Sequence, residues 1–364
     1  VRWTPDRPGG WIFHCHLSHH IYPNPDLKSD PALTRRQRDL RFLRGDGPAD
    51  PHHHAEHGMG GLVMGIYVRP PEGWTPEEPE GEPIRLHIRE DSTPGHLLPR
   101  FGFALGEPGE PPPAGEVPFP GPPLVLHQGP AAAVRVVNET DEPTTTHWHG
   151  LEVESLYDGV AGASGYPNRP SPAIVPGDSF DVALRTDRPG TYIYHTHMAD
   201  IRQQSAGLYG PLIILPEGQE WDPETERLIV VGWGFGEVEP PPRGVLFING
   251  SRAPEPIEMT VGTPHRLRII QITPSSGPLL VRLVRDGFPE RWQPIAHDGW
   301  SLPAHQQDVV AARQAIGVGE TYDFRYTPPQ PGELALEFRL SNPARFGQLG
   351  VSQPIRVVAP RDRP

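Results

Sequence analysis

The sequence lacks several features on which whole classes of protein depend. Cys15 is the single cysteine among 364 residues, so no intrachain disulfide can form. A single cysteine is a buried residue without a chemical role, a nucleophile or a metal ligand. No run of about 18 apolar residues occurs, so no transmembrane helix is predicted. Basic residues form no cluster, and the formal net charge is -13. Because nucleic acid is bound by clustered positive charge, we expect no nucleic-acid partner, and we expect no membrane partner either.

Residues that break regular structure are abundant instead. The chain has 50 prolines and 40 glycines, which argues against a helical bundle and favours short strands joined by loops. The apolar residues come in strand-sized groups such as Leu124–His127, Ala133–Val137 and His265–Gln271. We therefore predict an all-β fold made of β-sandwiches.

An internal repeat organises the chain. Each copy reads as a strand, a Pro-Gly turn and an alternating strand, and an apolar strand containing glycine follows. The three copies are residues 2–16 with the turn Pro8-Gly9, residues 184–197 with Pro189-Gly190, and residues 325–339 with Pro331-Gly332. The third copy lacks the two histidines that end the other copies, so we predict a structural role for its domain.

The spacing of the repeat sets the size of the domains. Pro189 and Pro331 are 142 residues apart, which suits one β-sandwich with its loops. We predict a first domain over 1–70 with an inserted loop at 21–57, a linker at 71–83, a second domain over 84–218 and a third over 219–364. About 105 residues precede Pro189 in its domain, whereas seven precede Pro8. The internal comparison therefore predicts that the first domain lacks roughly its first 100 residues.

Three His-x-His units carry the candidate chemistry. They are His14-Cys15-His16, His147-Trp148-His149 and His195-Thr196-His197. On a strand, residues i and i+2 face the same side, so each unit projects two imidazoles together. Neutral imidazole binds copper, zinc and iron, and three converging pairs would hold a polynuclear metal centre.

Cys15 adds a second kind of site. Its side chain faces the opposite side from His14 and His16, so its sulfur can bind a different metal. His20 follows five residues later, and Met59 lies beyond the inserted loop. Cysteine, histidine and a weakly bound methionine are ligands of blue-copper electron-transfer sites, which need one more histidine.

The motifs resemble three of the four copper motifs of the multicopper oxidases, a family that includes the laccases. The resemblance is carried by His147–Gly150, Tyr194–Met198, Phe13–Leu17 and Gln204–Leu212. In the last predicted domain, the segments Phe247–Gly250, Arg266–Arg268 and Asp298-Gly299 resemble the copper-free middle domain of the family. The resemblance implies tandem cupredoxin-like Greek-key β-sandwiches.

The resemblance also implies a role for each candidate residue. Type 1 copper would be bound by Cys15 and His20, with Met59 as the axial ligand, and type 2 copper by His147. The type 3 copper pair would be bound by His14, His16, His149, His195 and His197, which gives four copper ions in a complete active unit. Asp158, in Tyr157-Asp158-Gly159-Val160, matches an acidic residue that relays protons to the trinuclear centre.

The sequence departs from the family pattern in three ways. The fourth motif, His-Pro-x-His-x-His-Gly, is absent, and its usual place is the half-domain that we predict to be lacking. The cysteine-bearing domain precedes the His147 domain, which indicates a permuted arrangement or a chain from a longer protein. The interval from Cys15 to Met59 is longer than usual because of the inserted loop, so Met64 is the other candidate for the axial ligand.

The expected function is that of a laccase-type oxidase, which takes single electrons from small phenolic or aromatic donors and reduces O₂ to water. A copper-binding or electron-transfer protein without oxidase activity is the alternative, since the absent motif leaves each copper type one ligand short. A metal-ion oxidase acting on copper, iron or manganese stays open, although four methionines provide no methionine-rich segment. The His-Cys-His unit argues against a two-domain nitrite reductase, which has no type 3 pair.

The remaining expectations concern location, assembly and packing. Similar enzymes imply a periplasmic or secreted location, and a homo-oligomer or the lacking half-domain would complete the sites. We expect Trp11 and Phe13 to lie in the core. The four loop histidines are interpreted as solvated, and they are His52, His53, His54 and His57.

Overall fold

A computed structural model gives the fold as strands joined by loops and short turns. The residues it describes are 4–16, 62–91, 100–115, 117–198, 200–235, 244–273, 277–340 and 349–360. His20, Met59 and the predicted loop at 21–57 lie outside the described residues. The prediction of an all-β fold is confirmed. Within the described ranges, no helix has the length and apolar character that a membrane span requires.

Residues 9–215 contain twelve strands in their described part. These are β1 (Gly9–His14), β2 (Val63–Val68), β3 (Ile84–Asp91), β4 (Arg100–Pro108), β5 (Leu124–His127), β6 (Ala132–Asn138), β7 (His147–His149), β8 (Gly165–Tyr166), β9 (Arg169–Pro170), β10 (Ser179–Leu184), β11 (Gly190–His195) and β12 (Tyr209–Leu215). A 3₁₀ turn spans Ser155–Tyr157, and the short helix α1 (Asp200–Ser205) precedes β12.

The second half contributes thirteen more strands among the described residues. These are β13 (Glu226–Phe235), β14 (Gly244–Ile248), β15 (Ile257–Thr260), β16 (His265–Gln271), β17 (Leu279–Arg285), β18 (Phe288–Pro289), β19 (Arg291–His297), β20 (Trp300–Ser301), β21 (Val310–Ala311), β22 (Arg313–Ile316), β23 (Thr321–Tyr326), β24 (Gly332–Leu340) and β25 (Gly350–Val358). A second 3₁₀ turn spans Ala304–Gln306.

Two four-stranded sheets form a unit that we call the middle sandwich (residues 84–215). One sheet has the order β10-β6-β3-β4 and the other the order β5-β12-β11-β7. Their facing apolar side chains form one core, which includes Leu86 and Phe103 from the first sheet and Trp148, Tyr194 and Leu212 from the second. Every residue of β11 and β12 is buried. The strand β11, which leads into His195-Thr196-His197, therefore lies within a packed core.

Two larger sheets form the last sandwich (residues 226–358). One has the order β14-β13-β16-β23-β19-β20, with β21 paired to β19, and the other the order β15-β25-β24-β17-β18, with β22 paired to β17. Their shared core includes Leu267 and Phe324 on one side and Val281, Leu336 and Phe338 on the other. The third repeat copy thus builds a complete sandwich of its own.

The two sandwiches are joined along the outer face of the sheet that contains β11. A small apolar cluster at this joint includes Ile193 and Tyr209 of the middle sandwich and Val230 and Ile270 of the last one. The joint is closely packed: even a single added carbon, a Cβ at Gly190, would lie only 2.7 Å from the backbone of the last sandwich. The last sandwich therefore supports the strand that leads to His195.

The strands β1 and β2 form an antiparallel pair, the first hairpin, that rests against the middle sandwich. β1 meets β8 at a single pair, Gly10 with Gly165, and the Ser155 hydroxyl donates a 2.6 Å hydrogen bond to the Gly10 carbonyl. An added Cβ at Gly10 would lie 2.3 Å from the Ala163 carbonyl oxygen, so the contact requires glycine. β8 lies within the predicted second domain but pairs with β1 of the first hairpin, and β9 pairs with β8. The predicted domain boundaries stay a prediction.

The placement of Phe13 in the core was wrong. Its side chain is 69% exposed, whereas Trp11 is half-buried. In the second repeat copy Tyr194 holds the position of Phe13, and it is fully buried with its ring 4.9 Å from that of Phe103 on the opposite sheet. The difference arises because no described strand forms an opposite sheet over this face of the first hairpin.

Candidate metal centre

The neighbouring strands β7 and β11 bring two His-x-His units together. His147 lies opposite His195 in the antiparallel register. The ring centroid of His147 is 5.3 Å from that of His195 and 5.2 Å from that of His197, and the rings of His149 and His195 are 5.5 Å apart. Four imidazoles from adjacent strands therefore form one cluster.

The first hairpin adds the remaining unit to this cluster. The rings of His14 and His16 are 5.1 Å apart and face the same side. His14 lies 5.6 Å from His197, and His16 lies 5.1 Å from His149, measured between ring centroids. The structure thus brings all three predicted His-x-His units together at the boundary between the first hairpin and the middle sandwich.

Backbone carbonyls fix the orientation of four of the six rings. The Nδ1 atoms of these rings contact the carbonyl oxygens of Cys15 (from His14, 3.0 Å), Val318 (from His16, 2.9 Å), Asp158 (from His147, 2.6 Å) and Thr196 (from His195, 2.5 Å). A carbonyl only accepts hydrogen bonds, so each Nδ1 carries the proton and each Nε2 keeps its lone pair. Metal-binding histidines are oriented in the same way.

The nitrogens of three histidines are close enough to share a metal ion. His195 Nε2 lies 3.4 Å from His149 Nδ1. Because His195 Nδ1 donates its proton to the Thr196 carbonyl, His195 Nε2 carries no proton. One ring nitrogen from each of His147, His149 and His195 lies within 4.8 Å of the other two. An all-imidazole donor set of this kind fits copper as well as zinc or iron.

Burial favours the neutral form of three of these imidazoles, those of His14, His149 and His195. It lowers the pKa of His195 to about 3, with a further contribution from His147, and it holds the pKa of His149 well below its usual value. The pKa of His14 is also lowered by burial, while its hydrogen bond to the Cys15 carbonyl acts in the opposite direction. Since a metal ion binds the unprotonated ring, these three rings are prepared for coordination without a cost for removing protons at neutral pH.

The predicted proton-relay residue Asp158 lies beside this cluster. It is 8% exposed, and its Oδ1 is 3.4 Å from His147 Nδ1. It follows the 3₁₀ turn Ser155–Tyr157, whose first residue bonds to the first hairpin. One short segment therefore both anchors the hairpin and places a carboxylate next to His147.

Cys15 lies directly after β1, and its amide donates a 3.1 Å hydrogen bond to the Leu62 carbonyl. Alternation along the strand puts its side chain on the face that carries Phe13. Met64, the alternative axial ligand, is paired with Phe13 and lies on this same face, where it is 54% exposed. The predicted ligands His20 and Met59 lie outside the described residues, so the type 1 assignment stays a prediction.

The last sandwich contributes two residues that the sequence did not indicate. The Val318 carbonyl binds His16, and an added Cβ at Gly319 would lie 3.0 Å from both His149 Nε2 and His16 Nδ1. Both residues act through the backbone, so no side-chain motif marks them. The loop before β23 therefore closes one side of the histidine cluster.

Comparison with known proteins agrees with this geometry. The sequence model of the family described as "Multicopper oxidase" matches residues 116–219. The chain is 37% identical over 121 residues to an L-ascorbate oxidase of Cucurbita maxima, which is 32% of this chain and 20% of that one. It is 40% identical over 100 residues to "Laccase abr2" of Aspergillus fumigatus, which is 27% of this chain and 16% of that one. The aligned residues thus span about a fifth or less of these relatives.

The fold is shared with a solved multicopper oxidase from Pseudomonas thermotolerans. That structure superposes with a TM-score of 0.56 and 23% identity over 77% of this chain and 64% of that one. The fold is therefore built of cupredoxin-like β-sandwiches. The match to the multicopper oxidase family thus covers residues 116–219, and the histidine units and the shared fold agree with it.

Proposed function

We propose that this protein is a laccase-type multicopper oxidase, which oxidises phenolic or related aromatic donors by single electrons and reduces O₂ to water. The convergence of six imidazoles carries the proposal, because four of them have Nδ1 bonded to a carbonyl, which leaves Nε2 as the unprotonated nitrogen that a metal would bind. The match of residues 116–219 to the multicopper oxidase family favours copper among the metals that this donor set fits.

The proposed ligand assignment follows the position of each histidine. His147 would bind type 2 copper, and the type 3 pair would be bound by His14, His16, His149, His195 and His197. Cys15, His20 and an axial methionine, Met59 or Met64, would bind type 1 copper. Bound copper would supply the one-electron transfer and the dioxygen chemistry that the side chains alone do not have.

The residues of the chain have three proposed tasks around these ions. The four carbonyls hold the rings in one tautomer and orientation, which supports a fixed coordination geometry. Asp158 would move protons towards the cluster, because reduction of O₂ to water consumes them. The peptide segment 14–16 would join the two kinds of copper site, since Cys15 is covalently bonded to His14 and His16.

The face that carries Cys15 is proposed to receive a further set of β-strands. In the second repeat copy, β7 pairs with β11 at Ile193, Tyr194 and His195, and an opposite sheet covers Tyr194. In the described residues β1 meets β8 only at Gly10, and Phe13 is 69% exposed. A strand bearing His-x-His and a covering sheet would restore the same environment. A half-domain or a second copy of the chain would supply them.

A copper-binding or electron-transfer protein without oxidase activity is the second candidate function. The exposed face of the first hairpin favours this second candidate. Among the described residues no second sheet covers that face, so the Cys15 site is incomplete unless further strands are added. The first candidate is preferred because the histidine cluster is assembled from the described residues alone. We further propose a periplasmic or secreted location, and O₂ and a small aromatic reductant as the partners.

The test is copper loading followed by spectroscopy and oxygen uptake. The copper-loaded protein is expected to bind several copper ions per chain, and to consume O₂ when a phenol such as 2,6-dimethoxyphenol is added. The variants His147→Ala and His195→Ala should lose copper, while the control His305→Ala, an exposed histidine of the last sandwich, should not. Copper binding without oxygen uptake would favour the second candidate, and unchanged copper content in both cluster variants would contradict the ligand assignment.

A further inference from the structure

A buried glutamine lies directly behind two of the three His-x-His units. Gln203 belongs to the short helix α1, which follows the third unit, and it is 1% exposed. Its side-chain amide contacts two segments at once, the threonine run that leads into His147 and the residue between His195 and His197. A single polar side chain therefore joins the second unit to the third.

Both ends of the Gln203 amide are fully bonded. The Oε1 atom accepts hydrogen bonds from the hydroxyls of Thr196 at 2.7 Å and Thr144 at 3.0 Å. The Nε2 atom donates to the Glu142 carboxylate at 2.8 Å and to the Pro143 carbonyl at 3.0 Å. Carboxylate and carbonyl oxygens accept hydrogen bonds, so the amide can have only this orientation. A buried amide is costly unless it is bonded, and four bonds make this one a rigid link.

The third unit is held through Thr196. This residue is fully buried, its amide donates to the Leu208 carbonyl at 3.0 Å, and its own carbonyl accepts the bond from His195 Nδ1. The Leu208 amide in turn donates to the Gln203 carbonyl at 3.0 Å. Because the side chain and the amide of Thr196 are both fixed, the carbonyl that orients the His195 ring is fixed as well.

The second unit is held through the threonine run that precedes it. Thr144 is fully buried, and it exchanges backbone hydrogen bonds of 3.1 and 2.9 Å with Ile174, so it is fixed to the middle sandwich. The neighbouring Thr145 hydroxyl accepts a 3.0 Å hydrogen bond from the His197 amide. Gln203 and this run therefore bind the third unit to a segment that is itself anchored.

These bonds act where the strand ladder stops. The pairing of β7 with β11 ends at His147 and His195. His197 lies beyond that end, yet its ring centroid is 5.2 Å from that of His147. Ladder hydrogen bonds cannot set this separation, whereas the bonds of Gln203 and Thr196 lie in the same stretch of chain.

We propose that Gln203 is a positioning residue, which braces the second and third His-x-His units against each other and so sets the separation of their imidazoles for metal binding. It bonds to Thr144 and Thr196 and acts on the histidines through them. Its effect on copper rests on the proposed function, whereas its effect on the backbone between His195 and His197 does not.

The first test compares two buried glutamines. Gln203→Met keeps the length of the side chain and removes the amide. The matched control is Gln353→Met, since Gln353 is 2% exposed and donates to the carbonyls of Glu255 and Pro354 in the last sandwich. Titration with Cu(II) against nitrilotriacetic acid gives the copper affinity of each protein. Gln203→Met is expected to bind copper about 10–100-fold more weakly, and Gln353→Met to bind it as the wild type does.

A second variant separates the brace from general packing. Thr196→Val removes the hydroxyl bonded to Gln203 and keeps the shape of the side chain, so it serves even if Gln203→Met does not fold. It should also weaken copper binding. Both substitutions remove the same bond, so the double variant should bind copper no more weakly than Gln203→Met. In metal-free protein, hydrogen exchange at the amides of Thr196 and His197 should be faster in both single variants and unchanged in Gln353→Met.

Three results would overturn the proposal. They are wild-type copper affinity in both Gln203→Met and Thr196→Val, additive losses in the double variant, and unchanged hydrogen exchange at Thr196 and His197. Failure of the proposed function is distinguishable from these results. Faster exchange at the two amides, in a protein whose wild type binds no copper, would retain the brace and reject the oxidase.

Discussion

The hydroxyl of Thr191 donates a buried 2.8 Å hydrogen bond to Asp323, and this bond joins the strand β11 to the last sandwich. Arg268 donates to the Thr191 hydroxyl at 2.7 Å and also contacts Asp323. His195 lies four residues further along the same strand. A sandwich without a candidate metal ligand of its own therefore helps to position the strand on which the histidine cluster is built.

The network at Asp323 should contribute strongly to stability. Asp323 and Arg268 are each 1% exposed, and Arg266 adds a further ion pair. Asp323→Ala would remove one of the two carboxylates that pair with the buried Arg268 guanidinium, Glu226 being the other, and breaking a buried ion pair typically costs about 3–5 kcal/mol. Asp181→Ala is the matched control, since its ion pair with Arg135 is partly exposed and is expected to be worth less than about 1 kcal/mol. Urea unfolding of the metal-free variants measures both, and equal losses would contradict the account.

Equivalent positions in the repeat should respond differently to truncation. Leu336 holds the position of Phe13 in the third copy and is fully buried, so Leu336→Ala should destabilise by about 2–5 kcal/mol. Phe13→Ala should cost less than about 1 kcal/mol in this chain, because surface substitutions away from packed features have small effects. Thermal unfolding of both variants gives the comparison. A large loss for Phe13→Ala would mean that its face is already covered, against our proposal of further strands.

The carboxyl group of Asp158 should matter for turnover more than for copper binding. Asp158→Asn keeps the backbone carbonyl that binds His147 Nδ1, so the copper content should stay at the wild-type level. The amide cannot pass a proton as a carboxyl group does, and loss of a general acid–base group typically lowers the rate about 10²–10⁴-fold. Oxygen uptake at saturating donor measures the rate, with metal analysis as the control. Full activity in Asp158→Asn would remove Asp158 from the proposed proton route.

The metal-free protein should lose stability as the pH falls below about 6.5. Burial lowers the pKa of His265, whose Nε2 accepts a 3.2 Å hydrogen bond from the Thr260 amide. Between the lowered pKa and the usual value, the unfolded chain takes up a proton that the folded chain does not, so the free energy of unfolding decreases with falling pH. His265→Gln should make this decrease shallower, while the exposed control His305→Gln should not. Identical pH dependences in both variants would be inconsistent with a neutral His265.

Much of the fold could be predicted from local patterns. The predicted strands Leu124–His127 and His265–Gln271 match β5 and β16 residue for residue, because alternation and flanking turns mark a strand in sequence. Each Pro-Gly repeat copy indeed leads into an antiparallel strand pair, β1 with β2, β11 with β12 and β24 with β25.

Other features depended on tertiary contacts that leave no local signal. The exposure of Phe13 could not be predicted from the sequence. An aromatic residue in an alternating strand gives the same sequence pattern whether or not a second sheet covers it. The carbonyl of Val318 and the bare backbone of Gly319 complete the histidine cluster without any side chain that a motif could show. The joint around Thr191 links residues 132 apart in sequence, a distance over which patterns carry no information.

The central claim is that the three His-x-His units form one copper-binding cluster. Anomalous diffraction at the copper edge, on crystals of the copper-loaded protein, tests it most directly. We expect anomalous peaks between His147, His149 and His195, with further density towards His14, His16 and His197. Copper found elsewhere on the chain, with no peak among these rings, would contradict it.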